Sequence, residues 1–140
     1  MTDDYIVLFL LAILIVGAGL FAVILLTKRS GRTLNVAKYQ SQWLKIENSL
    51  QKENTATYQL SILQADKLID TALREKGIKG NTMGERMKAA QSIWKNPDHI
   101  WGAHKIRNRI AHEADAEVTH DIAARSLAAY RQALKDLGAI

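Results

Sequence analysis

Residues 54–77 read NTATYQLSILQADKLIDTALREKG, and the spacing of the apolar side chains in this run decides the fold class. Tyr58, Ile62, Ala65, Ile69 and Ala72 recur every three or four residues, the period of an amphipathic helix rather than of a half-buried strand. Asn54 or Thr55 offers an N-cap, and Gly77 is placed to end the helix after about Lys76. The same grammar repeats downstream. Thr82, with Glu85 three residues later, forms a capping box that opens a helix through about Trp94. Asn96-Pro97-Asp98 breaks it, because proline disfavours helix in the residue before it. A third helix is predicted from about Asp98 to His112. After residues 113–118, Thr119 caps a last one reaching about Leu137, with Ala123, Leu127, Tyr130, Leu134 and Leu137 as its apolar stripe. With a single proline and few strand-type runs, the class is all-α. Short connections make an antiparallel four-helix-type bundle the economical arrangement of residues 54–140.

Upstream the pattern changes. Tyr5 to Leu26 is an uncharged apolar run of 22 residues, about 33 Å as a helix against a hydrocarbon core of roughly 30 Å. A cleaved signal peptide would begin with basic residues and carry a shorter apolar run, whereas this one begins with Asp3 and Asp4. Lys28, Arg29 and Arg32 follow at once, so the positive-inside bias predicts a single-pass anchor (residues 1–27) in the cytoplasmic (inner) membrane, N-terminus outside and the rest of the chain cytoplasmic. Gly17 and Gly19 do not form a Gly-x-x-x-Gly pair, so the span itself carries little dimerisation signal.

Between anchor and bundle, residues 28–53 read as a membrane-proximal linker, broken at Ser30-Gly31, with an amphipathic helix from about Leu34 to Lys52. Val36, Trp43 and Leu50 repeat every seven residues, widened by Ala37 and Leu44, while Lys38, Lys45 and Lys52 recur on another face. The helix either packs on the bundle or a partner's copy, or lies along lipid head groups. The narrow apolar stripe favours packing.

Composition bounds the function. Without cysteine there are no disulfides, thiol nucleophiles or thiolate metal sites, and the chain suits a reducing compartment. Asp3 and Asp4 are the charged residues of the first 27, so the remainder carries all 19 basic residues against 12 acidic ones, a net +7. That balance suits anionic lipid or nucleic acid, or simply keeps the domain soluble.

Residues 107–112, Arg-Asn-Arg-Ile-Ala-His, concentrate the chemistry: a guanidinium, a carboxamide and an imidazole within two helical turns. On the predicted third helix Ala103, Ile106 and Ile110 define the core face. Arg107 falls at its margin, and His104, Asn108 and His112 form a polar ridge at i, i+4, i+8. Arg107 and His112 are about 140° apart on an ideal helix, so they meet one substrate only if the helix ends near Ala111 or a second copy completes the site.

Arg107-Asn108-x-x-x-His112, at the end of the penultimate long helix, resembles the Arg-x4–6-His motif of the HEPN superfamily of small helical domains, over about residues 55–137. The resemblance implies a metal-independent endoribonuclease of the toxin or defence type, acting as a homodimer on RNA and free of cofactor. Arg107, Asn108 and His112 would be catalytic and His104 and Arg109 substrate-binding, with an antitoxin or other protein as a further partner. Some members of the superfamily are inactive scaffolds, which makes a non-catalytic membrane-tethered interaction module the alternative.

The residues also support a purely architectural account. Arg107 would then pair with Asp66 or Asp70, i and i+4 on the first bundle helix, while Asn108 and His112 cap a helix end and Arg109 is solvated. Metal is not expected: His104 and His112 lie two turns, about 12 Å, apart, and His99 and His120 add no chelating spacing. Gly77, Gly80 and Gly84 lack the Gly-Lys-Ser/Thr ending of a phosphate loop. Trp94 and Trp101 flank the proline break, where they seal the bundle end or offer a ring to a base.

Overall fold

A computed structural model describes residues 2–27 and 32–140; the basic pair Lys28 and Arg29, and the break at Ser30-Gly31, lie outside the described residues. Among the described residues the regular structure is all helix, without a strand: α1 (Thr2–Thr27), α2 (Val36–Ser49), α3 (Ala56–Glu75), α4 (Met83–Ala89), α5 (Pro97–His112) and α6 (His120–Asp136). They divide into two compact units, residues 1–31 and 32–140.

α1 is long and apolar enough to cross a membrane: Asp4–Ile24 has a mean hydropathy of 3.1 over 21 residues, about 32 Å of helix. It is apolar on every side, and its large side chains from Tyr5 to Ile24 are all exposed.

In the second unit, the long helices α2, α3, α5 and α6 form a helical bundle. α3 is central and touches each of the others, and α6 packs on both α3 and α5. Contacts at the ends fix the directions. Tyr58, early in α3, meets the His120 ring at the start of α6, and Lys76 after α3 donates to the Leu137 carbonyl after α6, so α3 and α6 run parallel. The backbone N–H of Lys95, ahead of α5, donates to Asp136 at the end of α6, and Tyr39 of α2 reaches Glu75 at the end of α3; α5 and α2 therefore run the other way. The core between them holds Ile62, Ile69, Leu73, Met87, Ile100, Tyr130 and Leu134, all at or near zero exposure.

Two expected elements differ. The segment from Thr82 gives only the seven-residue α4, not a helix to Trp94. Its start is as read: Thr82 accepts from the Glu85 N–H, although the Glu85 carboxylate reaches back to the N–H of Asn81 rather than that of Thr82. Its end comes early because bonds tighten to Gln91 N–H on Lys88 and Ile93 N–H on Ala90, while the Trp94 indole N–H satisfies the Met87 carbonyl. Pro97 then opens α5 at its first position, where a missing N–H costs nothing.

α2, capped by Asn35 on the Lys38 N–H, packs along α3, so the stretch expected as a separate linker belongs from Arg32 onward to the compact unit. The face it buries is Tyr39, Trp43 and Ile46 rather than Val36, Trp43 and Leu50; Val36 and Leu44 are 42% and 54% exposed. Glu75 meets this face at one end, accepting from Tyr39 Oη at 2.8 Å and Lys38 Nζ at 2.7 Å. α3 ends as expected, with Gly77 at φ +81° and the Ile78 N–H returning to the Leu73 carbonyl.

Candidate functional site

The site is built on the second half of α5, behind which lies a buried carboxylate that a one-helix reading underrates. Asp66 sits four residues after Ile62 and three before Ile69, on the apolar stripe of α3, and is 4% exposed. A charged group there is tolerable only if its lone pairs are occupied. Oδ1 accepts from Tyr130 Oη of α6 at 2.8 Å and bonds His104 Nδ1 of α5 at 2.9 Å. Oδ2 forms an ion pair with Arg107 Nε at 3.2 Å. A carboxylate only accepts, so the His104 ring turns a protonated Nδ1 toward it. Burial, the charge of Asp66 and its hydrogen bond push the Tyr130 phenol well above the ordinary tyrosine range.

This arrangement revises the expected ridge. His104 is 8% exposed and faces Asp66, so it does not share a solvent-facing line with Asn108 and His112 and cannot contact a substrate from that line. The reason is that α5 packs on both α3 and α6, and its inward arc, Ile100, Ala103 and His104, is rotated from the one read off Ala103, Ile106 and Ile110; the two isoleucines are only partly buried.

Arg107 lies at the margin, as expected, with 36% of its side chain exposed. Of its two available aspartates it takes Asp66, since Asp70 is held by Arg86 (Nε 2.8 Å) and Arg74 (2.7 Å). Its Nη1 donates to Asn108 Oδ1 at 3.1 Å. The guanidinium is thus fixed through Nε and Nη1, which leaves Nη2 as its uncommitted edge. Arg109 is tied to the loop after α5, donating to the Glu117 carbonyl at 3.2 Å and pairing with Glu113 at 3.6 Å. His112 is exposed in the last turn. Among the described residues neither Asn108 nor His112 bonds a carbonyl at the end of α5, where Glu113 is the C-cap.

α5 continues through His112. The 140° between Arg107 and His112 therefore stands, and one chain alone does not bring them onto one small group. No family model, curated protein or solved structure matches this chain. The chemistry of the site thus rests on its own groups: a guanidinium with one free edge, a carboxamide that holds it, and an open imidazole. Among the described residues no cluster of three or more His, Cys, Asp or Glu side chains is placed to hold a metal ion. A cavity of about 870 Å³ lies between α5 and α6, lined by residues including Trp94, His99, Ile106, Ile122 and Gln132, and Arg107, Asn108 and His112 take no part in it.

Proposed function

We propose that this chain is a membrane-anchored, HEPN-like endoribonuclease that works as a homodimer, its four-helix domain on the cytoplasmic side of the cell membrane. The supporting observation is the Arg107 guanidinium, fixed from behind by buried Asp66 yet open at its outer edge, on the same helix as a solvent-exposed imidazole. Cleavage of RNA through its own ribose needs a base to take the 2′-hydroxyl proton as that oxygen attacks phosphorus. It needs an acid to protonate the departing 5′-oxygen, and positive charge on the crowded phosphate. Imidazole titrates near neutrality and serves in either proton transfer, and arginine presents a fixed fork to phosphate oxygens. Two chains would supply two copies of His112, one per transfer, across a two-fold axis that also answers the divergence of Arg107 and His112 within a single helix. Arg109 would add a phosphate contact at the rim.

The ion pair of Arg107 with Asp66 of its own bundle favours a second reading, a non-catalytic module in which the guanidinium only ties α5 to α3. An antitoxin-type or other protein partner would then occupy the same face. The full-length chain in detergent micelles, given structured and unstructured RNA in EDTA, separates the two. The nuclease reading expects cleavage that falls at least a hundredfold in both Arg107→Ala and His112→Ala. Cleavage that survives His112→Ala, or no cleavage by the folded dimer, leaves the module.

A further inference from the structure

The outward surface of α5 carries more than the motif. Trp101, Lys105, Asn108 and His112 stand at i, i+4, i+7 and i+11, within an arc of about 60° on an ideal helix and along about 16 Å of its axis. Lys105 and His112 are exposed and Asn108 half-buried. Among the described residues Lys105 and His112 have no hydrogen-bond or ion-pair partner. Trp101 differs from the other two tryptophans. Trp43 and Trp94 are 3% and 6% exposed, whereas Trp101 is only half-buried. Its ring is nonetheless braced. The indole Nε1 donates to Gln91 Oε1 at 3.3 Å, the ring meets His104 edge-on at 6.1 Å, and a Cβ added at Gly84 of α4 would lie 4.0 Å from its six-membered ring. A large aromatic held in one orientation with part of its surface in water, four residues from a free ammonium and in line with an exposed imidazole, has the groups that a nucleic-acid strand would engage. The ring stacks on a base and the cation takes the next phosphate.

We propose that Trp101 is a stacking platform and Lys105 a phosphate contact for single-stranded RNA laid along α5, with the strand running past Asn108 to His112. The strand is single because a base inside a duplex is already stacked on its neighbours and has no free face for an indole. The inference rests on the ribonuclease reading for the choice of RNA, but binding is measured apart from cleavage. Short α4 thereby acquires a purpose, since Gly84 within it and Gln91 just after it border the ring.

The test uses the full-length chain in micelles and a 2′-O-methyl oligonucleotide, which binds but cannot be cut. Because Trp43 and Trp94 are buried, quenching of intrinsic fluorescence on titration reports Trp101. The expected result is quenching by the single strand and little by the matching duplex. By anisotropy of a labelled strand, Trp101→Ala should bind roughly five- to 150-fold more weakly. Lys105→Glu, which disturbs no packing partner, should weaken binding and reduce its salt dependence. Unchanged emission from Trp43 and Trp94 certifies the fold of both variants. Equal binding of duplex and single strand, or full affinity in Trp101→Ala, overturns the proposal. If RNA is cleaved while Trp101→Ala keeps its KM, this inference falls and the nuclease stands. If the strand binds through Trp101 but no RNA is cut, the nuclease falls and the platform stands.

Discussion

Asp66 gathers side chains from three helices onto one carboxylate, and the behaviour of the domain at high pH should follow from it. Tyr130 is fully buried and donates to Asp66 Oδ1, so ionising the phenol would set two anions side by side in the core. The neutral form is favoured in the fold, and the phenol is accordingly raised well above its ordinary range. A group raised in the folded state contributes stability that is complete below its unfolded value, near ~10 for tyrosine, and is lost as pH climbs through the folded one. The wild-type domain should therefore weaken as pH rises above about 10. Tyr130→Phe should cost about 0.5–1.5 kcal/mol near neutrality, from the lost hydrogen bond, and then decline less steeply in alkali. Tyr39, raised by burial and by Glu75, supplies a residual slope. Urea midpoints from pH 8 to 11 decide the matter; parallel curves for wild type and variant would remove Tyr130 from the account.

At the scale of the elements, α2 is the piece whose packing the sequence left open. Trp43 sits between α2 and the bundle with its indole Nε1 buried and without a hydrogen-bond partner, so the ring contributes apolar area against one unsatisfied donor. Trp43→Ala should cost about 3–5 kcal/mol in denaturant unfolding, whereas Trp43→Phe, which discards the orphan N–H, should cost much less. If α2 were merely resting on the surface, both would be near neutral. Helix type and most ends were legible because capping residues and three-four periodicity are local: Thr82, Thr119, Gly77 and the α6 stripe all behave as read. The rotations of α2 and α5 were not. Whether Tyr39 or Val36 faces inward depends on the surface of α3 that α2 packs against, including Glu75, 36 residues away from Tyr39. Whether His104 is solvent-facing depends on Asp66, 38 residues away. Periodicity within a single helix does not encode those partners. The signal that was present, a charged residue on the apolar stripe of α3, announces a buried polar contact and offers Arg107 as its partner, but names neither His104 nor Tyr130.

For the whole molecule, the orientation of α1 decides whether any of this chemistry can meet RNA. Two carboxylates precede the apolar run and three basic residues follow within a few positions, and everything beyond carries a net +7. Basic residues flanking a span stay on the cytoplasmic side, so the bundle should lie there with the N-terminus outside. The absence of cysteine makes the test clean, since one introduced thiol is the only one in the chain. In intact cells a membrane-impermeant maleimide should label Thr2→Cys and spare Gln64→Cys, an exposed position on α3, until the cells are lysed. The reverse pattern would put the domain outside, away from cytoplasmic RNA, and the ribonuclease reading would lose its substrate. The expected orientation also bears on the site. On the proposed reading, chains tethered in one membrane would meet in two dimensions at raised local concentration, favouring the pairing that the proposed Arg107–His112 site requires. Deleting residues 1–31 should then reduce cleavage more at low protein concentration than at high, and equal loss at all concentrations would mean that the anchor serves placement alone.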